Sequence, residues 1–153
     1  MKLLILSDSH SVMRHMERAV FDVTPDRIIH LGDVTRDAEK LREMFPRIPM
    51  TCVPGNCDHD PVTPPVQLET FGGVRVLITH GHTLGVKYGE LNLLLAAQEA
   101  QARLALFGHT HRAFLDEQDG VTLLNPGAAS GSYPSYAVAE LENGKLSCRI
   151  VRL

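Results

Sequence analysis

A chain of 153 residues with 44 % hydrophobic content carries enough apolar material for a core of its own, so one domain over 1–153 is expected. No stretch approaches the roughly 18 consecutive apolar residues of a membrane span, and the formal charge of −3 comes with Lys and Arg scattered, so no basic run marks a nucleic-acid tract. The three cysteines, Cys52, Cys57 and Cys148, are odd in number and lack a Cys-x-x-Cys pair, which argues against a disulfide framework and for a reducing, cytoplasmic setting.

The opening residues, Met1 to Asp8, contain a short apolar run without a basic leader or a small-residue cleavage site, so they read as a strand over 2–6 and not as a signal peptide. That strand stops on Ser7-Asp8-Ser9-His10. Val12, Met13, Met16, Ala19, Val20 and Val23 then recur at helical spacing, with Ser11 a candidate cap and Thr24-Pro25 the stop. A second strand, 27–31, stops on Gly32-Asp33. A short amphipathic helix over 37–45 is closed by Pro46, and a third strand, 50–53, runs into Pro54-Gly55-Asn56-Cys57-Asp58. This β-α-β-α-β order implies parallel strands with crossover helices, an arrangement that gathers ligands at the strands' carboxyl ends.

Three prolines make 60–65 a loop. Strands 66–71 and 74–79 form a hairpin around Gly72-Gly73 and stop on His80-Gly81-His82. A helix rich in Leu and Ala is expected from about 88 to 101. The next run, 102–107, stops on Gly108-His109-Thr110-His111. Beyond it the pattern turns to short strands, 113–117 with 121–124 and 136–141 with 146–151; Asn125-Pro126-Gly127 reads as a loop, and Asn143-Gly144 is a hairpin turn. The whole is read as α/β: a four-layer α-β-β-α sandwich, two mixed sheets flanked by helices.

Five apolar runs thus end on Asp8, His10, Asp33, Asn56, His80, His109 and His111. Any one of these is unremarkable: an Asp after a strand is often a helix cap, an Asn after Pro-Gly a turn residue, a His-x-His a polar strand end. Together, two carboxylates, one amide and four imidazoles suit Mn, Fe, Co, Ni or Zn better than Ca or Mg alone. Seven donors exceed the need of one open site and suit two ions sharing a carboxylate, a pair able to hold a phosphate and make hydroxide at neutral pH.

Asp8-Ser9-His10, Gly32-Asp33, Gly55-Asn56-Cys57-Asp58, His80-Gly81-His82 and Gly108-His109-Thr110-His111 resemble, in order, the motif set of calcineurin-like metallophosphoesterases over residues 4–127. The short length and Asn125-Pro126-Gly127 are similar to the small single-domain phosphodiesterases of that superfamily. The segment from Asn125 to Tyr133 is also similar to the retromer scaffold subunit of the same fold. The resemblance implies that Asp8, His10 and His111 hold one metal, that Asn56, His80 and His109 hold the other, and that Asp33 bridges. It further implies hydrolysis of a phosphoester by hydroxide held between two divalent ions, manganese first, with nickel, iron, cobalt, zinc or magnesium as alternatives. Asn56, Cys57 and His82 are the expected catalytic residues, with His82 orienting a ligand. Cys57 stands where many members have His; a thiol donates poorly to an alkoxide, so good leaving groups are expected, or a proton from His82, His59 or a metal-bound water.

A small phosphodiester is the expected substrate, because no Lys/Arg cluster offers itself to a dianion. Relatives of this kind form dimers or larger assemblies, so a homo-oligomer, dimer or tetramer, is a further expectation. No nucleic-acid or membrane partner is expected. The alternative is a non-catalytic, retromer-like scaffold; a competent ligand at every position favours the enzyme.

Overall fold

The computed structural model describes residues 1–153. Ten strands form two mixed sheets of five, and three helices cover them. The first sheet has the order β10-β9-β1-β2-β3, with β1 Lys2–Leu6, β2 Arg27–His30, β3 Met50–Cys52, β9 Ser135–Glu142 and β10 Lys145–Arg152. Its three N-terminal strands are parallel, and β9 adds antiparallel to β1. The second sheet has the order β4-β5-β6-β8-β7, with β4 Val66–Phe71, β5 Val74–Thr79, β6 Leu104–Leu106, β7 Ala113–Gln118 and β8 Val121–Pro126. Here β5, β6 and β8 run parallel.

The period-2 geometry of β1 sorts its aliphatic run into two cores. Leu3 and Ile5 point between the sheets, where they meet Ile29, Leu31, Val76, Ile78, Leu104, Leu106 and Leu124. Leu4 and Leu6 face the opposite way, onto α1 (Met13–Val23) and α2 (Thr35–Met44) through Met16, Val20 and Leu41. A third cluster seats α3 (Leu91–Glu99) on the second sheet, with Leu93, Leu94 and Ala97 against Ala105, Phe107 and Leu123. Helix, sheet, sheet, helix is therefore the layer order, as the sequence implied. The central strands β1 and β6 are hydrophobic on both faces because both faces are covered.

Three local expectations are corrected. The helix expected from 88 is shorter: two 3₁₀ turns, His82–Leu84 and Val86–Tyr88, precede it, separated and ended by Gly85 (φ 63°) and Gly89 (φ 129°), conformations that interrupt a helix. Ser11 does not cap α1; its backbone N–H is taken by the Asp37 carboxylate instead. Asn125-Pro126 is strand and not loop, with Pro126 tolerated as the last residue of β8 opposite Ala113.

Because β1, β2 and β3 are parallel, and so are β5 and β6, each set presents its carboxyl ends together. The two edges meet in space: the backbone N–H of Gly108 after β6 donates to the His80 carbonyl after β5, that of Asp8 to Gly32 O, and the His80 ring reaches Leu31 O across the sheets.

Candidate metal centre

Asp8 follows β1 and is wholly buried. Its Oδ2 accepts from the Ser7 hydroxyl at 2.6 Å and from the His109 N–H at 3.2 Å. Its Oδ1 accepts no hydrogen bond and lies 3.1 Å from His111 Nε2, outside hydrogen-bond alignment. A buried carboxylate oxygen without a donor costs free energy on the order of 1–3 kcal/mol or more for a charged group unless a cation sits against it. One donor atom each from Asp8, His10, Asp33 and His111 lies within 4.8 Å of the others, close enough to share an ion.

Asp33 joins this group to a second one. Its Oδ1 accepts the Cys57 N–H at 3.0 Å and lies 3.5 Å from His80 Nε2. His80 is buried, and its Nδ1–H donates to the Leu31 carbonyl at 2.7 Å, which in the neutral ring leaves Nε2 as a bare lone pair. That lone pair faces Asn56 Oδ1 at 3.1 Å. Three acceptor atoms, His80 Nε2, Asn56 Oδ1 and Asp33 Oδ1, then converge with no proton between them. A cation could sit among them.

The two histidines of Gly-His-Thr-His do not lie on an extended segment. His109 (φ 67°) and His111 (φ 59°) are both left-handed, and their rings diverge: His109 packs on His80 at 5.0 Å between centroids, His111 on His10 at 5.2 Å. Asp8, His10 and Asp33 are left-handed as well. Non-glycine residues in this region are uncommon, each costs on the order of 1 kcal/mol or more, and here they are concentrated at the strand ends.

Glycines make the convergence possible at three places. A Cβ on Gly55 would collide with the Asp33 carboxylate, one on Gly108 with the Ser7 hydroxyl, and one on Gly32 (φ 96°) with Gly55 N at 2.5 Å. The loops that carry the donors pack backbone against backbone.

Burial, followed by the neighbouring His80, pushes the His109 imidazole down to about 4, and the same two causes lower His82. Both rings are neutral at pH 7, the form that binds metal. Burial works to raise the Asp33 carboxyl, but the Cys57 N–H and His80 outweigh it and leave it lowered, hence ionised. Burial and then the Asp33 charge push the exposed Cys57 thiol up, so it keeps its proton at neutral pH.

His82 packs near both His80 and His109, at 5.4 and 6.1 Å between rings, with a buried Nδ1 that has no partner. His59 is exposed on its loop and has no hydrogen bond to the centre. His15 is half-buried and bonds the Ala129 carbonyl at 2.9 Å.

Four further residues hold the donors in place; Asn125 and Asp58 lie in the motifs named above, whereas Asp37 and His30 carry no sequence signal. Asn125, fully buried on β8, donates to Gly108 O and Thr110 Oγ and accepts from Gly127 N–H, fixing the loop that carries His109 and His111. Asp37 on α2 accepts from Ser9 Oγ and Ser11 N–H, both at 2.7 Å, on either side of His10. His30, pushed down to about 4 by burial, accepts the Gly32 N–H and reaches Ser9 through its other nitrogen. Asp58 bonds Gly55 N–H and Thr35 N–H, and so ties the Asn56 loop to the start of α2. Replacing Asn125 by Ala strands two acceptors and a buried N–H, and it should destabilise the fold by about 2–3 kcal/mol in urea titrations. A loss under about 0.5 kcal/mol would show that water replaces the amide.

A four-layer sandwich with His, Asp and Asn donors gathered where its parallel strands end defines a metal-binding phosphoesterase architecture. The chain belongs to the calcineurin-like phosphoesterase superfamily, whose domain pattern matches residues 1–144. It is 33 % identical to the probable metallophosphoesterase YsnB of Bacillus subtilis over 156 aligned positions, covering 97 % of this chain and 89 % of that one. The crystal structure of a predicted phosphoesterase from Streptococcus pneumoniae superposes with a TM-score of 0.82 at 25 % identity, over 99 % of this chain and 88 % of the other. Vps29 from Entamoeba histolytica superposes with a TM-score of 0.81 over 100 % and 99 % of the two chains, but at 17 % identity, which is a likeness of fold alone. No helix is long and apolar enough to cross a membrane.

Proposed function

We propose that the protein is a divalent-metal-dependent phosphodiesterase with a dinuclear centre, manganese being the first ion to test. The observation that carries this reading is the pair of proton-poor donor groups that share Asp33: Asp8, His10 and His111 on one side, Asn56, His80 and His109 on the other. When bound, two ions would supply a hydroxide at neutral pH and positive charge for the phosphoryl oxygens.

The chain's own residues prepare that chemistry. Leu31 O holds His80 in the tautomer that offers Nε2, and Ser7 and the His109 N–H hold Asp8 so that Oδ1 is left for a ligand. Asn56 also holds Cys57 Sγ through Nδ2 at 3.6 Å, placing the thiol at the mouth of the site. A thiol with a raised pKa is a weak acid toward an alkoxide, which favours esters with good leaving groups. His82 packs beside His80 and His109 with its Nδ1 unpartnered, a position from which it could orient a ligand or supply a proton.

A diester is supported by the space around the 109–112 loop. Two clefts meet at Arg112 and Ala113, one bordered by Phe107, Thr110 and Phe114, the other by His111 and Tyr133. Two ester arms need two such openings.

The test is metal content with turnover. The Mn-loaded protein should hydrolyse a generic aryl phosphodiester, and His109→Ala and His111→Ala should each lose about one of two bound ions, from different sites. Loss of both ions from either variant would leave a single shared site and overturn the dinuclear assignment. A retromer-like scaffold would show no turnover with any divalent ion.

A further inference from the structure

Arg112 and Arg152 are far apart in the sequence, yet they line one cleft. Residue 112 leaves the His111 loop to begin β7, while Arg152 ends β10 opposite Ser135 in register. The two strand ends are drawn together around Gly127, where a Cβ would strike Ser135 Oγ and come within 3.4 Å of the Ala113 backbone and side chain. Ser135 Oγ donates to Pro126 O at 2.6 Å and closes the same corner.

The cleft measures about 610 Å³ and is lined by His111, Arg112, Ala113, Tyr133, Ser135 and Arg152. No Asp or Glu is among them. Neither Arg112 nor Arg152 has a carboxylate partner, and unlike the other unpaired arginines these two share one cleft. Tyr133 is 82 % exposed and presents its ring to the opening. The neighbouring cleft, which shares Arg112, differs in that Glu90 also lines it.

Two guanidinium groups, always charged and shaped to grip an oxyacid with two parallel bonds, repel each other until an anion lies between them. Of the residues gathered around Asp33, only His111 borders this cleft, so the two guanidiniums lie to one side of that cluster. We propose that this cleft is a subsite for a second anionic group, a carboxylate or phosphate carried by one arm of the phosphodiester. This rests on the phosphodiesterase reading and narrows its substrate class to diesters with a charged arm. It also revises the sequence argument: the chain has no basic cluster along its length, but folding assembles one beside His111.

The test compares an aryl phosphodiester bearing a carboxylate on one phenol with its methyl ester, both with Mn-loaded protein. Wild type should prefer the carboxylate ester in kcat/KM by about tenfold relative to the Arg112→Gln/Arg152→Gln double variant, whose preference should fall to that of the uncatalysed reaction. The Arg112→Gln/Arg152→Lys variant should recover part of the preference, as a charge effect requires and a packing effect does not. An identical ratio in wild type and double variant overturns the subsite while leaving the phosphodiesterase reading intact. Turnover of neither ester overturns the phosphodiesterase reading and the subsite with it.

Discussion

Asp33→Asn should reduce Mn-stimulated phosphodiester hydrolysis by at least about 10²–10³-fold while leaving the thermal transition near that of wild type. The side chain is nearly isosteric, and its Oδ1 can still accept the Cys57 N–H that it accepts now. What disappears is the negative charge at the one place where both donor groups meet. His80 Nε2 at 3.5 Å on one side, and the Asp8, His10 and His111 donors within 4.8 Å on the other, would then gather around a neutral amide. Two cations in close proximity repel strongly, and a shared carboxylate is what offsets that repulsion. Equilibrium dialysis should therefore find fewer than two ions per chain. A variant that hydrolyses and binds metal like wild type would remove the reason for assigning catalysis to this cluster.

Gly55→Ala should be the more damaging of the two to the fold. The added methyl would occupy the space of the Asp33 carboxylate and approach Asp33 N to 2.5 Å, so either the carboxylate swings out or the 54–58 loop withdraws. Overpacking of this kind costs about 1–3 kcal/mol. Gly32 abuts Gly55 from the other loop, and Asp58 clamps Gly55 N–H at 2.8 Å, so the loop has little room to yield. Metal binding and turnover should fall together, by roughly the 10–100-fold expected when a ligand loses its support. Retained tight metal binding, measured by titration of the refolded variant, would show that Asp33 is not held where the wild-type backbone places it.

Much of this site was legible in the chain because each parallel strand is an apolar run that stops abruptly, and the residue that stops it sits at a known edge of the sheet. Asp8, Asp33, His80 and His109 could be placed from that alone, along with the glycines beside them. Asp37 could not, nor could the bonding of Asn125 and Asp58, although both stand in motifs visible in the chain. The partners of Asn125, Asp37 and Asp58 lie 15 to 17, 26 to 28, and 23 residues away, apart from local bonds such as that of Asp58 to Gly55, and an Asn in a strand or an Asp in a helix has no periodicity to betray it. Arg112 and Arg152 failed to register for the same reason: a basic pair formed where the two sheets pack leaves no run in the sequence. The late start of α3 is different, since Gly85 and Gly89 were visible and the Leu/Ala content outweighed them in the reading.

The placement of β9 has a consequence for how the molecule comes into being. This strand, from the last fifth of the chain, lies between β10 and β1, and the segment before it gives Ala129 N–H to Ser7 O and Ser130 Oγ–H to Asp8 O. The first donor to leave the ribosome is thus held by contacts more than 120 residues downstream. Such non-local pairings are slow to form, and until the final hairpin docks the edge of β1 is open. The helices and the β2–β3 pairing rest on contacts close in sequence, whereas the candidate metal centre waits on pairings between distant parts of the chain. An ion captured before then would meet a partial set of ligands.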